Sequence, residues 1–240
     1  MAYNKAMVPL SSVPLNSFIW FVGSIACLLL FYRSQTTYKV SKSELTKYIA
    51  LFGLLMGIGQ AWLAVPTFFT LNVGIIRSTY LIGEFFIYSS MVAQAAVAWC
   101  LFLRSRTKLR TVTMAIAMIG LISWAYAIPY ATLQISNNFI NYRDPVFSTV
   151  VIGLVFLSLF TPVGVYFLQS ARKETRPKTV LTALGLGLVY VGVGFFTGGV
   201  ELLTGQVITP ISAIGDLVFF SIILMVLLWP RRHGSMAQAA

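Results

Sequence analysis

Seven apolar runs, each about 20 residues long and so able to cross a bilayer as a helix, leave this chain few ways to fold. They cover residues 15–32, 48–71, 79–103, 111–130, 145–168, 180–202 and 208–229. In hydrocarbon every backbone N–H and C=O must find its partner within the protein, which admits helices or a closed barrel, and runs of this length select helices. The connectors between them are short, so residues 1–240 read as one all-α, polytopic membrane bundle of seven transmembrane helices. A chain that is 58% hydrophobic and 10% charged belongs to that class.

The formal net charge of +11 does not point to nucleic acid, because of where the cations fall. Arg33, Lys39, Lys42 and Lys47 separate spans one and two, and Arg104, Arg106, Lys108 and Arg110 separate three and four. Arg172, Lys173, Arg176 and Lys178 separate five and six, and Arg231 and Arg232 follow seven. The opposite ends hold only Lys5, Arg77 and Arg143. This alternation predicts an outside N-terminus and a cytoplasmic C-terminus, with the basic loops facing anionic lipid. The first run lacks a basic leader and a small-residue cleavage site, so it is expected to be retained. Cys27 and Cys100 fall within spans, which predicts no external disulfide. No Asn-x-Ser/Thr sequon occurs, which favours a prokaryotic plasma membrane.

Two of the six acids lie deep in apolar runs: Glu84 in IGEFFIYS (82–89) and Asp216 in IGDLVFFS (214–221). A charge at such depth costs at least ~2.5 kcal/mol on insertion scales and marks a functional position by default. The two motifs are 132 residues apart, and the same shift lays Gly53 on Gly185, Leu54 on Leu186 and Tyr88 on Phe220. The alignment suggests a duplication with half-repeats 15–103 and 145–229 around a linker helix, 111–130. A pseudo-twofold axis along the membrane normal would then bring spans three and seven to equivalent places around a central site.

At helical spacing Arg77, Tyr80, Glu84, Tyr88 and Met91 share one face of span three, with Gln94 near it. Such a stripe is expected to face the bundle interior or a water-filled cavity; the plainer reading is that Glu84 pins a neighbouring helix. In span seven Ser212, Asp216 and Phe220 share a face. The ligand- or proton-binding candidates are therefore Glu84, Asp216, Tyr80, Tyr88, Ser212 and Arg77, with Gln60 in span two and Glu201 at the end of span six. Other signals are local. Ser41-Lys42-Ser43-Glu44 has capping-box spacing, Pro66 should kink span two, and Asp144-Pro145 reads as a helix start. Pro162 reads as a hinge in span five, and Gly194 with Gly198 as a close-packing pair in span six. The connector 130–144 is rich in Asn and Gln, a lid or simply a solvated loop.

The 3+1+3 plan with its N-terminus outside is similar to the SWEET sugar transporters and their PQ-loop relatives, in which polar residues of spans three and seven line the solute site. That resemblance maps the site onto Glu84 and Asp216, although the Pro-Gln dipeptide is absent and only Pro66 and Pro162 echo the proline set. The plan also resembles microbial rhodopsins, with a carboxylate in span three and another in span seven. A rhodopsin needs a lysine one turn after the span-seven acid, and position 220 is Phe220; all seven lysines lie outside the spans, so covalent retinal is excluded.

Enzyme readings find no support in the sequence. The single histidine, His233, is in the C-terminal tail, which removes paired-histidine haem, a His-rich metal site and a histidine base for a serine nucleophile. Neither GxGxxG nor GxxxxGK[ST] occurs. No cofactor is expected, and the expected partners are the bilayer and a small-molecule ligand, with a homo-oligomer left open. The leading reading is a transporter of a small solute, proton-coupled through the two intramembrane carboxylates. The alternative is a seven-helix receptor or sensor that signals to a separate partner.

Overall fold

The computed structural model describes residues 8–103, 107–136, 139–173 and 178–204, together with Ser221 and Leu228. The chain is mostly helical, with five helices long and apolar enough to cross a membrane. These are α1 (Leu15–Ser41), α2 (Glu44–Ala64, prolonged by a 3-10 turn, Val65–Phe68), α3 (Val73–Phe102), α4 (Thr107–Ala127) and α5 (Val146–Lys173). A sixth helix, α6 (Lys178–Thr204), follows, while the predicted seventh span lies outside the described residues apart from Ser221 and Leu228, both helical. Large apolar side chains face outwards, among them Ile122 at 63% exposure and Phe147 at 71%. Such a surface suits lipid, so the architecture agrees with an all-α membrane bundle and a membrane location.

Close helix approach in this bundle depends on small residues, as expected where lipid tails are as apolar as the helix faces. On α2, a Cβ added at Gly53 would lie 2.9 Å from the Cys27 carbonyl of α1, and the Ser24 hydroxyl of α1 donates to the Gly57 carbonyl at 2.8 Å. Gly59 of α2 and Gly83 of α3 meet backbone to backbone: a Cβ on either would lie 2.7–2.8 Å from the other's carbonyl oxygen. The α5–α6 pair repeats the device at Gly164 and Gly185. Helix α4 wedges between α3 and α5, with Gly120 against Met91 and Val155 and the Trp99 indole donating to Thr113. The core between these helices contains Phe52, Met56, Tyr88, Met91, Phe156 and Phe160.

Several local expectations are corrected. Helix α1 runs on past Arg33 to Ser41 and stops where Lys42 turns left-handed, φ 53°. Helix α2 does start at Glu44, but no capping box forms: Ser43 is the N-cap without a side-chain bond, and the Ser41 hydroxyl accepts instead from the Ser43 amide. Pro66 ends α2 in the 3-10 turn, where the Thr67 hydroxyl satisfies the Ala64 carbonyl at 2.6 Å. Helix α5 passes through Pro162 without interruption. On α6, Gly185 and Gly192 make close crossings with α5, the latter against Thr161, while an added Cβ at Gly194 meets nothing within 4 Å among the described residues and the surroundings of Gly198 lie outside them.

The largest departure is the 130–144 connector, which forms a two-stranded antiparallel hairpin, β1 (Thr132–Ser136) with β2 (Phe139–Arg143). Its register pairs Leu133 with Tyr142 and Ile135 with Ile140, so the apolar side chains gather on one face. That face seats on the bundle end, where Leu133 and Ile140 bury Ile76 of α3 beside Trp20 and Tyr80. Asn16, the second residue of α1, fastens it: its amide donates to the Ile140 carbonyl at 2.8 Å and its side-chain oxygen accepts from the Ile140 amide at 3.1 Å.

A candidate proton and ligand site beneath the hairpin

Glu84 sits on the inner face of α3, 6% exposed. Helix α3 is rotated into this position by the Gly59–Gly83 crossing, which leaves the residue next to Gly83 no room to turn towards α2. The carboxylate is held by neutral donors from two helices. The Trp124 indole of α4 donates to Oε2 at 3.1 Å, and the Tyr88 hydroxyl, one turn along α3, is 3.5 Å from Oε1. Among the described residues no cation pairs with it. Behind Tyr88 stands Phe156, edge-on at 6.2 Å and stacked at 4.8 Å on Phe160.

The hairpin completes the site from above. Tyr142 stacks on Tyr80 with ring centroids 4.2 Å apart, and Trp20 of α1 meets Tyr80 edge-on at 5.7 Å. The Tyr142 hydroxyl lies beside the Glu84 carboxylate yet falls short of hydrogen-bond geometry, leaving it buried without a partner. Burial first, and then the Glu84 and Asp144 carboxylates, push the Tyr142 hydroxyl above its ordinary range, so it keeps its proton. Asp144 is the second acid of the site. Helix α5 begins at Val146, and among the described residues no hydrogen bond runs from its first turn to the Asp144 carboxyl; its first backbone bond is the ordinary one from the Thr149 amide to the Pro145 carbonyl at 3.1 Å. One carboxyl oxygen, Oδ1, is buried with no hydrogen-bond partner, and burial pushes the group up to about 6.

The sequence-derived candidates thus divide. Glu84, Tyr80 and Tyr88 come together. Arg77 stays at the exposed rim, its guanidinium 3.5 Å from the Ile128 carbonyl, and makes no ion pair with Glu84. Gln60 is buried on α2, 5% exposed, with its side-chain oxygen unpartnered. Asp216 and Ser212 lie outside the described residues, as does the side chain of Glu201. Four contributors were missed: Asn16, Trp124, Tyr142 and Asp144. Trp124 had a readable signal, a donor-only side chain within the otherwise apolar span four. Tyr142 had another, the alternation of Leu133, Ile135, Ile140 and Tyr142 around Asn137-Asn138, a hairpin pattern. Among the described residues no group of three His, Cys, Asp or Glu side chains is placed to hold a metal ion. Comparison with protein-family models, curated proteins and solved structures finds no match.

The arrangement can exchange a proton or hold a cationic or hydrogen-bonding group. A buried carboxylate accepting from an indole and a phenol has lone pairs to spare, and its aromatic walls offer cation–π faces.

Proposed function

We propose that the chain is a seven-helix plasma-membrane carrier of a small solute, with its N-terminus outside and with Glu84 and Asp216 as its titratable groups. The observation that carries this reading is Glu84 itself: a carboxylate buried among helices, held by Trp124 and Tyr88, with no cation paired to it among the described residues. A group that only pinned two helices would need neither the acid nor the aromatic enclosure, since a neutral amide would serve. The charge alternation across the connectors supports the orientation, placing the hairpin outside. Packing supports the duplication: Gly53 and Gly185, aligned by the shift between the two acid motifs, each lie at the close crossing of their own helix pair, α1–α2 and α5–α6. Two such halves around a midplane site are suited to alternating access.

The test is flux. Purified protein in liposomes is expected to take up small polar or cationic solutes faster under an imposed pH gradient. Glu84→Gln and Asp216→Asn keep shape and hydrogen bonding but remove the titratable proton, and each should reduce gradient-driven uptake to the level of empty liposomes. Exchange between equal solute pools should persist, because it needs the binding face without net proton movement. Wild-type liposomes that bind a ligand yet show no flux across a broad solute panel would transfer the site to a receptor.

A further inference from the structure

The hairpin is built so that it can leave the bundle as a unit. Its ladder is internal, Thr132 with Arg143 through Ser136 with Phe139, so release breaks no strand bond to the bundle, and because a lone two-stranded hairpin is only marginally stable its ladder amides exchange faster once it is unseated. Among the described residues, what seats it is a short set of separable contacts: the two bonds between Asn16 and Ile140, the Tyr142–Tyr80 stack, and the apolar packing of Leu133 and Ile140 on Ile76. Seating also draws Asp144, the residue following β2, down towards Glu84 with Oδ1 buried and unpartnered. An ionised carboxylate in that position has no donor on that buried oxygen, and the Glu84 carboxylate is near enough to oppose its charge. We propose that the 132–143 hairpin is a gate over the Glu84 site, seated while the Asp144 carboxyl carries a proton and released when that proton leaves.

Among the described residues the groups around Asp144 are few. Helix α3 contributes Glu84, Tyr80 and Tyr88, with Arg77 at its rim; β2 contributes Tyr142 and exposed Arg143. The neighbouring parts of α1 and α4 contribute neutral side chains, Asn16, Trp20 and Trp124. The sign follows from burial, which holds the seated Asp144 at about 6 against an ordinary 3.8. A carboxyl raised in the seated state favours that state fully below the ordinary value, and the contribution is lost as pH rises through about 6. Acid closes the gate and neutral pH loosens it. This concerns access to the site, and it holds for a carrier and for a receptor alike.

Hydrogen exchange on the full-length protein in nanodiscs, corrected for intrinsic exchange rates, reads the gate without any solute. Peptides covering 132–143 should lose protection by about tenfold between pH 5 and pH 7.5, while peptides from α2 and α3 stay unchanged. Asp144→Asn should hold the hairpin equally protected at both values. Asn16→Ala should lower its protection at both, showing that exchange reports seating. Wild-type protection that does not vary with pH, an Asp144→Asn protein that keeps the wild-type dependence, or an Asn16→Ala hairpin as protected as wild type would each overturn the gate. None of these outcomes touches the flux result on which the carrier reading depends.

Discussion

Gly83→Leu is expected to abolish the native packing of α3 on α2, with loss of folded protein from the membrane and no Glu84 site left to assay. An added Cβ at Gly83 falls 2.8 Å from the Gly59 carbonyl oxygen and 2.7 Å from Leu63 Cδ2, and the first of these is backbone that no rotamer change can move. The helices must separate, and overpacking of this kind costs about 1–3 kcal/mol even for small additions. Separation also breaks the reciprocal contact, since Gly59 sits 2.7 Å by the same measure from the Gly83 carbonyl. A graded series makes the effect interpretable. Gly83→Ala should destabilise by about 1–2 kcal/mol, the clash being partly offset by a helix-propensity gain of about 1 kcal/mol for alanine over glycine. Gly120→Ala should be milder, because its closest neighbour is the flexible end of Met91. Gly194→Ala, whose added Cβ meets nothing within 4 Å among the described residues, should be neutral or slightly stabilising. Unfolding midpoints in mixed micelles of increasing SDS fraction would rank the four. A Gly83→Leu protein as stable as wild type would contradict the backbone contact.

Phe156→Ala should produce the second large loss, about 3 kcal/mol, by opening a cavity in the buried core between the helices. The ring is fully buried, stacks on Phe160 at 4.8 Å and supports Tyr88 edge-on at 6.2 Å. Its removal therefore reaches the site as well as the fold: Tyr88 loses its backing, and Glu84 is left with Trp124 as its well-formed partner. The same denaturation series should register the stability loss, and the intrinsic fluorescence of Trp124 in single-tryptophan variants should shift as water approaches. Phe147→Ala is the matched control. That ring is 71% exposed on the same helix, so its truncation removes lipid contact and little packing. Equal losses at the two positions would mean that α5 is not packed by the face seen here.

Each such contact joins residues that the chain holds far apart, and this separates what could be read early from what could not. The helical class and five of the expected spans were legible because a bilayer imposes a length and an apolar composition on every crossing segment, and the five long helices between Leu15 and Lys173 obey both. Glu84 stood out for the same reason: an acid in such a segment is costly wherever its partners lie. The faces of α3 followed from 3.6-residue periodicity, which placed Tyr80, Glu84 and Tyr88 together without knowledge of any other helix. What periodicity cannot supply is the partner across a gap. Asn16 and Ile140 are 124 residues apart, and Trp124 is 40 from Glu84, so no local pattern links them. The Ser41 capping box failed because an accepting hydroxyl has several amides within reach and the turn, not the spacing, selects one. Asp144 shows the limit most clearly. Beside Pro145 it has the sequence of a helix cap, yet with the hairpin seated through Asn16 its carboxyl is buried, Oδ1 is without a partner, and its charge acts on Glu84. The chain by itself determined the membrane-spanning helices and one buried acid, because those obey local rules of length and cost. Only the tertiary structure decided which donors hold that acid, which strand covers it and which second carboxyl faces it, because those depend on the relative placement of elements that no short window of sequence contains.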